Sequence, residues 1–504
     1  MKYMKKFMAL VAALMLALAM AVPALAEQAA TYTITINSGT GTYAAYQIFK
    51  GDLHNDTLSN IQWGDNVTTE GQNKLGDAAE KAKSLENNET AAKAFAVEVA
   101  PYLVATPTHT GTDSITGLEA GYYLIKNISV GKGEVFTDYI LEVVKNVTVS
   151  PKSGKPTLNK EIKHNETNTW GVVGDNQIGD TVEFRTITTV PNVSGYTQYK
   201  YVIHDEMSAG LTSNVKFAAD VTIKVNDTTV LEPTYYEVVP NAENPNKFTV
   251  TVKVLEAIAA NKMSAGNELY TYYTGVLNKD AVIYDKGKQE NTAHLEYSNN
   301  PHNNTTTNNT PDKIVYDWTF KMDVSKVDGA DTNTQLDGAK FVLSEKNSLN
   351  LGTIGEDGTP ATTDNLIKLI DNGGGSYTVA PADYTGSTVY VMTAGNITIK
   401  GLDDATDYYL YETKAPAGYN RLTEAVKFKI NATYNGDGNT CTNVNATVGS
   451  EAAPTGLSIT VKNNKGATLP STGGSGTTLF YVIGGGLMAV AAVLLVTKKR
   501  MNNK

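Results

Sequence analysis

Residue types that carry most enzyme chemistry are sparse in this sequence. Six histidines are spread over 504 residues. None forms a His-Glu-x-x-His pair for zinc, and no Gly-x-Ser-x-Gly elbow offers a nucleophilic serine. The single cysteine, Cys441, lies in a polar Asn/Gly/Thr stretch without a neighbouring histidine, and it cannot form an intrachain disulfide. Asp331, Asn333 and Asp337 are spaced like calcium-loop ligands, but no glycine stands at the required turn, so a solvated loop is expected. The chemistry that the residues do advertise is cutting at the two ends. Ala24-Leu25-Ala26 supplies the small residues that a signal peptidase accepts, with the scissile bond between Ala26 and Glu27.

That cleavage site follows Lys2, Lys5, Lys6 and an apolar run over 7–20, so residues 1–26 read as an export signal. The other end carries an apolar run over 479–496 followed by Lys498-Lys499-Arg500. Eighteen residues at the helical rise approach the hydrocarbon thickness of a bilayer, and the basic cluster would hold the tail on the cytoplasmic side. Just before it stands Leu469-Pro470-Ser471-Thr472-Gly473. Together, motif, span and basic end resemble the LPXTG cell-wall sorting signal of Gram-positive surface proteins. The resemblance implies that a sortase cysteine cleaves between Thr472 and Gly473 and passes the threonyl acyl group to an amine, with peptidoglycan as the final anchor.

Between the ends, acids outnumber bases more strongly than in the whole chain, where 52 Asp+Glu face 42 Lys+Arg. This balance argues against nucleic acid as a partner, because phosphate binding needs clustered cations. Twenty-eight tyrosines against 11 phenylalanines, 43 glycines and many Thr, Asn and Val point to strand-rich modules.

Three domains are expected. The first, 27–152, opens with alternating Tyr32-Thr33-Ile34-Thr35-Ile36. Helical spacing of Ala78, Ala82 and Leu85, then of Ala92, Phe95 and Val99, adds helices to its strands. A linker, Ser150-Pro151-Lys152-Ser153-Gly154-Lys155-Pro156, ends it. The second, 153–311, has strand signals over 182–187, 199–203, 221–225, 248–254 and 293–297, spaced as in an all-β sandwich. Its Asn/Thr tract, 303–310, is too polar for a core and reads as a surface loop or linker. The third, 312–468, runs from a strand near Phe320 to one ending near Asn463, and 469–504 is the sorting signal.

In the third domain Leu336-Asp337-Gly338-Ala339-Lys340-Phe341 and the eleven-residue stretch Tyr409-Leu410-Tyr411-Glu412-Thr413-Lys414-Ala415-Pro416-Ala417-Gly418-Tyr419 resemble the strand opener and E-box of Cna protein B-type domains of Gram-positive pilins and adhesins. The chain is therefore identified as similar to a sortase-assembled backbone pilin. That resemblance implies a mainly β fold of tandem Ig-like/Cna B-type β-sandwich domains. It also implies an intramolecular isopeptide bond between Lys326 and Asn463, with Glu412 as the catalytic acid. The chemistry requires these types. Burial disfavours the charged ammonium and frees the amine, and a carboxyl group in the same apolar setting stays protonated and can polarise the asparagine amide. It can then pass a proton to the departing ammonia.

The middle domain resembles its pilin counterparts more loosely. Leu158-Asn159-Lys160-Glu161-Ile162 supplies Lys160, Asn291-Thr292-Ala293-His294-Leu295-Glu296-Tyr297 supplies Asn291, and the strand ending His204-Asp205-Glu206-Met207 supplies Asp205 as the acid. Lys163 and Glu206 are the rivals of opposite strand parity. Val147-Thr148-Val149-Ser150-Pro151-Lys152 resembles the pilin motif, although Ser150 stands where an aromatic is usual. By that resemblance Lys152, or alternatively Lys155, receives Thr472 of the next subunit. In the first domain Gly121-Tyr122-Tyr123-Leu124-Ile125 lacks a glutamate in register, and no bond is expected there.

The implied function is a shaft subunit of a covalent, wall-anchored fimbrium, with no cofactor, no metal and no catalytic turnover. Implied partners are pilin-specific and housekeeping sortases, identical subunits in a head-to-tail polymer, tip or basal pilins, and a host-surface ligand. The alternative is a minor pilin or wall-anchored adhesin that binds a host protein or glycan.

Overall fold

The computed structural model describes residues 30–37, 41–85, 89–130, 138–149, 155–193, 196–300, 305–393, 395–449, 451–452, 456–466 and 476–501. Strands dominate, as the Tyr/Thr/Val-rich alternation predicts.

The N-terminal domain pairs Tyr32–Ile36 with Ser114–Leu118 and, in parallel, with Val147–Val149. A second sheet is built on the long Gly41–His54 strand, flanked by Thr57–Trp63 and Gly121–Val130. Helices Thr69–Leu75, Ala78–Leu85 and Glu89–Val99 lie between these strands in sequence. Phe95 and Val99 are buried with Phe49, and the Phe49 and Phe95 rings stack with centroids 5.7 Å apart. The periodicity of Ala92, Phe95 and Val99 thus marks the packed face. Thr68 caps the first helix by accepting from the Gly71 amide, a helix that hydrophobic spacing alone did not reveal.

The middle domain is a sandwich. One sheet runs, in spatial order, Trp170–Gly171, Leu158–Lys163, Thr181–Thr189, Glu268–Leu277, Thr222–Val225 and Thr229–Val230. The other runs Val173–Asp175, Lys313–Trp318, Gln289–Ser298, Tyr201–Met207, Lys247–Val252 and Tyr236–Pro240. Two sequence expectations need correction. Lys313–Trp318 pairs with Gln289–Ser298 and Val173–Asp175, so the middle sandwich extends to Trp318 and not to 311. Within the Asn/Thr tract, Thr307–Asn309 forms a strand on Gln289–Ser298, because ladder hydrogen bonds stabilise a segment too polar for a core. Residues 301–304 lie outside the described residues.

The C-terminal domain is a second sandwich. Leu369–Asp371, Ser376–Val379, Asn396–Leu402, Phe320–Asp328 and Ser458–Asn463 form one sheet. Met392–Thr393, Lys340–Ser344, Asp407–Lys414, Val426–Tyr434, Cys441–Val448 and Glu451–Ala452 form the other. First and last strands are neighbours: Phe320–Asp328 pairs in parallel with Ser458–Asn463. One hydrophobic cluster continues from the middle into the C-terminal sandwich, whereas the N-terminal domain has its own clusters. Gly401 allows this close junction. It has φ +84, and a Cβ there would stand 2.5 Å from Ile178 Cδ1. A helix, Gly476–Met501, follows the domains, and its segment Phe480–Met501 is long and apolar enough to cross a membrane.

Candidate functional site

In the middle domain, strand alternation decides which side chains enter the core. Along Leu158–Lys163 the even positions Leu158, Lys160 and Ile162 are buried, while Lys163 turns outward to Glu183 at 2.7 Å. Along Tyr201–Met207, Asp205 is buried and Glu206 is exposed beside Lys247. Asn291 is buried on Gln289–Ser298, in register with Met207. Lys160 comes from one sheet, and Asp205 and Asn291 come from the other, so a Lys160–Asn291 link would cross the sandwich.

Lys160 Nζ donates to Asp205 Oδ2 at 2.6 Å, with both side chains fully buried. Burial pushes the Lys160 amine below the usual lysine range, opposed by Asp205. Burial likewise raises the Asp205 carboxyl, opposed by Lys160. Both shifts favour the neutral forms that amide formation needs. Tyr273, from Glu268–Leu277, donates to the same Asp205 oxygen and accepts from Lys160. Lys160 Nζ also lies 5.0 Å from the Tyr273 ring centroid and 5.7 Å from that of Phe184. Asn291 lies beside Asp205 and Tyr273. Neither amide atom of Asn291 meets hydrogen-bond geometry, and Asp205 Oδ1 is also unpaired among the described residues. Sequence reasoning missed Tyr273. Its signal was the period-two run Leu269, Thr271, Tyr273, Gly275 and Leu277 on a strand not singled out.

In the C-terminal domain the arrangement differs. Lys326 and Asn463 sit on adjacent parallel strands of one sheet, with Lys326 opposite Val461 and Asp328 opposite Asn463. Glu412 enters from the other sheet, on Asp407–Lys414, where Tyr409 and Tyr411 face outward and Tyr408, Leu410 and Glu412 are buried. Asn463 Nδ2 donates to Glu412 Oε2 at 2.9 Å and to the Asn420 carbonyl at 2.7 Å. The Leu422 amide donates to that same Glu412 oxygen at 2.7 Å. Glu412 Oε1 and Asn463 Oδ1 are left unpaired among the described residues.

Lys326 is fully buried, and its Nζ donates to the carbonyls of Val461, at 3.2 Å, and Val327, at 3.4 Å, with no carboxylate ion pair among the described residues. Burial lowers its amine, opposed by Glu412 and Asp328. The nitrogen that would leave as ammonia is thus held by Glu412. Asn420 and Leu422, which share that hold, follow the E-box and were not expected from the motif.

Lys152 and the sorting residues Leu469, Pro470, Ser471, Thr472 and Gly473 lie outside the described residues, as do Ala26 and Glu27. Lys155 is described and exposed. The strand before the linker, Val147–Val149, is paired to Tyr32–Ile36, which fixes where that linker leaves the N-terminal domain. Asp331, of the calcium-like loop, accepts from the Asn333 amide and the Thr334 hydroxyl, as a solvated turn does.

Residues 320–445 match the SpaA prealbumin-like fold domain, and residues 461–503 match the LPXTG cell wall anchor motif. No curated protein matches the chain. Solved structures similar to it include the full-length major pilin SpaD from Corynebacterium diphtheriae, at 18% identity over 88% of this chain and 98% of that one, TM-score 0.45. The T6 backbone pilin of serotype M6 Streptococcus pyogenes is similar at 16% identity, over 87% and 98% of the two chains, TM-score 0.46. BcpA, the major pilin subunit of Bacillus cereus, is similar at 16% identity, over 87% and 100%, TM-score 0.43. The chain carries a prealbumin-like SpaA domain and a cell-wall anchor motif, and it is a cell-wall-anchored surface protein with a tandem β-sandwich body.

Proposed function

We propose that this protein is the shaft subunit of a covalent pilus: sortase joins Thr472 of one chain to Lys152 of the next, and the last subunit is passed to peptidoglycan. The observation that carries the reading is the burial, in each of two tandem sandwiches, of a lysine, an asparagine and an acid together. A buried lysine is rare unless something compensates its desolvation. Two of them beside side-chain amides suit a building block that is cross-linked internally before it is loaded.

In each domain the neutral lysine nitrogen attacks the asparagine Cγ. The new C–N bond forms as the bond to Nδ2 breaks. The lysine gives up a proton, the acid relays it to Nδ2, and ammonia leaves with the acid regenerated. Lys326 pairs with Asn463 through Glu412, and Lys160 pairs with Asn291 through Asp205. The protein has no turnover of its own, since each reaction happens once per chain.

Pull entering near Lys152 and leaving at Thr472 would pass along the Phe320–Asp328 and Ser458–Asn463 pair, where a covalent link bypasses the ladder hydrogen bonds. The partners are a pilin-specific sortase for chain growth, a housekeeping sortase for anchoring, and identical subunits above and below.

Lys152→Arg is the test. It keeps the charge and removes the primary amine, so the high-mass ladder of wall extracts should collapse to monomer while anchoring of the single chain persists. A persisting ladder would move the acceptor elsewhere, with Lys155→Arg as the next variant. An adhesin would show no ladder in the parent chain.

A further inference from the structure

Where the middle sandwich meets the C-terminal one, three carboxylates converge from distant parts of the chain. Asp175 ends the Val173–Asp175 strand, and Asp403 and Asp404 follow the Asn396–Leu402 strand. One oxygen from each lies within 4.8 Å of the others. The side chains are deeply buried, with residue exposures of 0%, 5% and 4%.

Each carboxylate has one oxygen fixed by neighbours. Asn165 Nδ2 and the Thr406 hydroxyl donate to Asp403 Oδ2, at 2.7 and 3.2 Å. The Ala432 amide and the Tyr434 hydroxyl donate to Asp404 Oδ2, at 3.1 and 3.2 Å. Tyr434 also reaches Asp175 Oδ2 at 3.3 Å, as does His164 Nε2. The other oxygens of Asp175 and Asp403 have no hydrogen-bond partner among the described residues. Among the described residues, no lysine or arginine forms an ion pair with any of the three carboxylates. Leaving such oxygens buried and unpaired is costly, and concentrating three negative charges there is costlier still.

We propose that Asp175, Asp403 and Asp404 form a calcium site that clamps the middle sandwich to the C-terminal one. The donor set is all oxygen, which suits a hard cation. A cation bound at about 2.3–2.6 Å separates its ligand oxygens by at most about 5 Å, which accommodates the observed spacing. Calcium tolerates irregular, bidentate geometry, whereas magnesium keeps several waters and demands an octahedron that this buried pocket does not favour. The donors from Asn165, Thr406, Ala432 and Tyr434 act as an outer shell that orients the carboxylates. The site rests on this junction alone and is independent of how the chain is polymerised.

The test uses the full chain in detergent, stripped with a chelator and titrated with calcium chloride. Elemental analysis should find one calcium per chain after dialysis. Thermal unfolding should shift upward with calcium and much less with equal magnesium, as ligand linkage requires. Asp403→Asn and Asp175→Asn should each weaken calcium binding roughly tenfold or more, with the internal cross-links unchanged by mass. A metal-free chain whose unfolding ignores calcium would overturn the proposal and leave the carboxyls sharing protons. Preferential zinc binding, abolished by His164→Ala, would overturn the calcium assignment.

Discussion

Asn463 and Glu412 meet across the two sheets of the C-terminal sandwich, with Asn463 Nδ2 donating to Glu412 Oε2 at 2.9 Å. The contact holds the amide by its departing nitrogen and leaves Asn463 Oδ1 unpaired among the described residues. Buried Lys326, one strand away, has two backbone carbonyls as its side-chain hydrogen-bond partners among the described residues. Electrophile, acid and amine are thus placed before any bond is made.

Glu412→Ala should leave the C-terminal domain folded but unlinked, so its intact mass exceeds the parent's by one ammonia. Loss of a covalent closure spanning so long a loop should cost about 4–5 kcal/mol in the chain-entropy model. Orphaning the Leu422 amide adds roughly 1–3 kcal/mol. Protease resistance and melting temperature should fall together. An unchanged mass would remove Glu412 from the reaction.

Tyr273→Phe should slow cross-linking of the middle domain without abolishing it. The phenol donates to Asp205 Oδ2 beside Lys160. Losing a hydrogen bond to the neutral acid is worth about 0.5–1.5 kcal/mol, which corresponds to roughly twofold to tenfold in rate. Pulse-labelled chains sampled by mass over time give the rate. An unaltered rate would make Tyr273 a packing residue.

Before linkage, the Lys160–Asp205 pair should give the middle domain a U-shaped pH profile. Asp205 is raised in the folded state, so between pH about 4 and its folded value the native chain holds the extra proton, and stability falls as pH rises. Lys160 is lowered, so between its folded value and about 10.4 the unfolded chain holds the extra proton, and stability rises with pH. Denaturant unfolding of an Asn291→Ala chain, which cannot link, should show both limbs. The further variant Lys160→Met/Asp205→Asn should flatten them, and a profile identical in the two chains would show that neither group titrates as its burial demands.

Much of the site was legible because alternation on a strand is a strong constraint. Lys160 against Lys163, and Asp205 against Glu206, are parity questions, and the inward member of each pair is the one facing the core. Parity cannot say which strands face each other. Tyr273 lies on a strand whose role depends on its partners Thr181–Thr189 and Thr222–Val225. Lys313–Trp318 carries no local sign that it belongs to the preceding sandwich, since only its pairing with Gln289–Ser298 assigns it. The convergence of Asp175 with Asp403 and Asp404 is a property of the junction between domains, with no local sequence pattern to announce it.

Peptide mapping of the high-mass polymer by tandem mass spectrometry tests the central claim most directly. The shaft reading predicts a branched peptide in which the Thr472 carbonyl is joined to the Lys152 side-chain nitrogen of another chain. Recovery of Thr472 joined only to peptidoglycan, with no interchain branch, would contradict it.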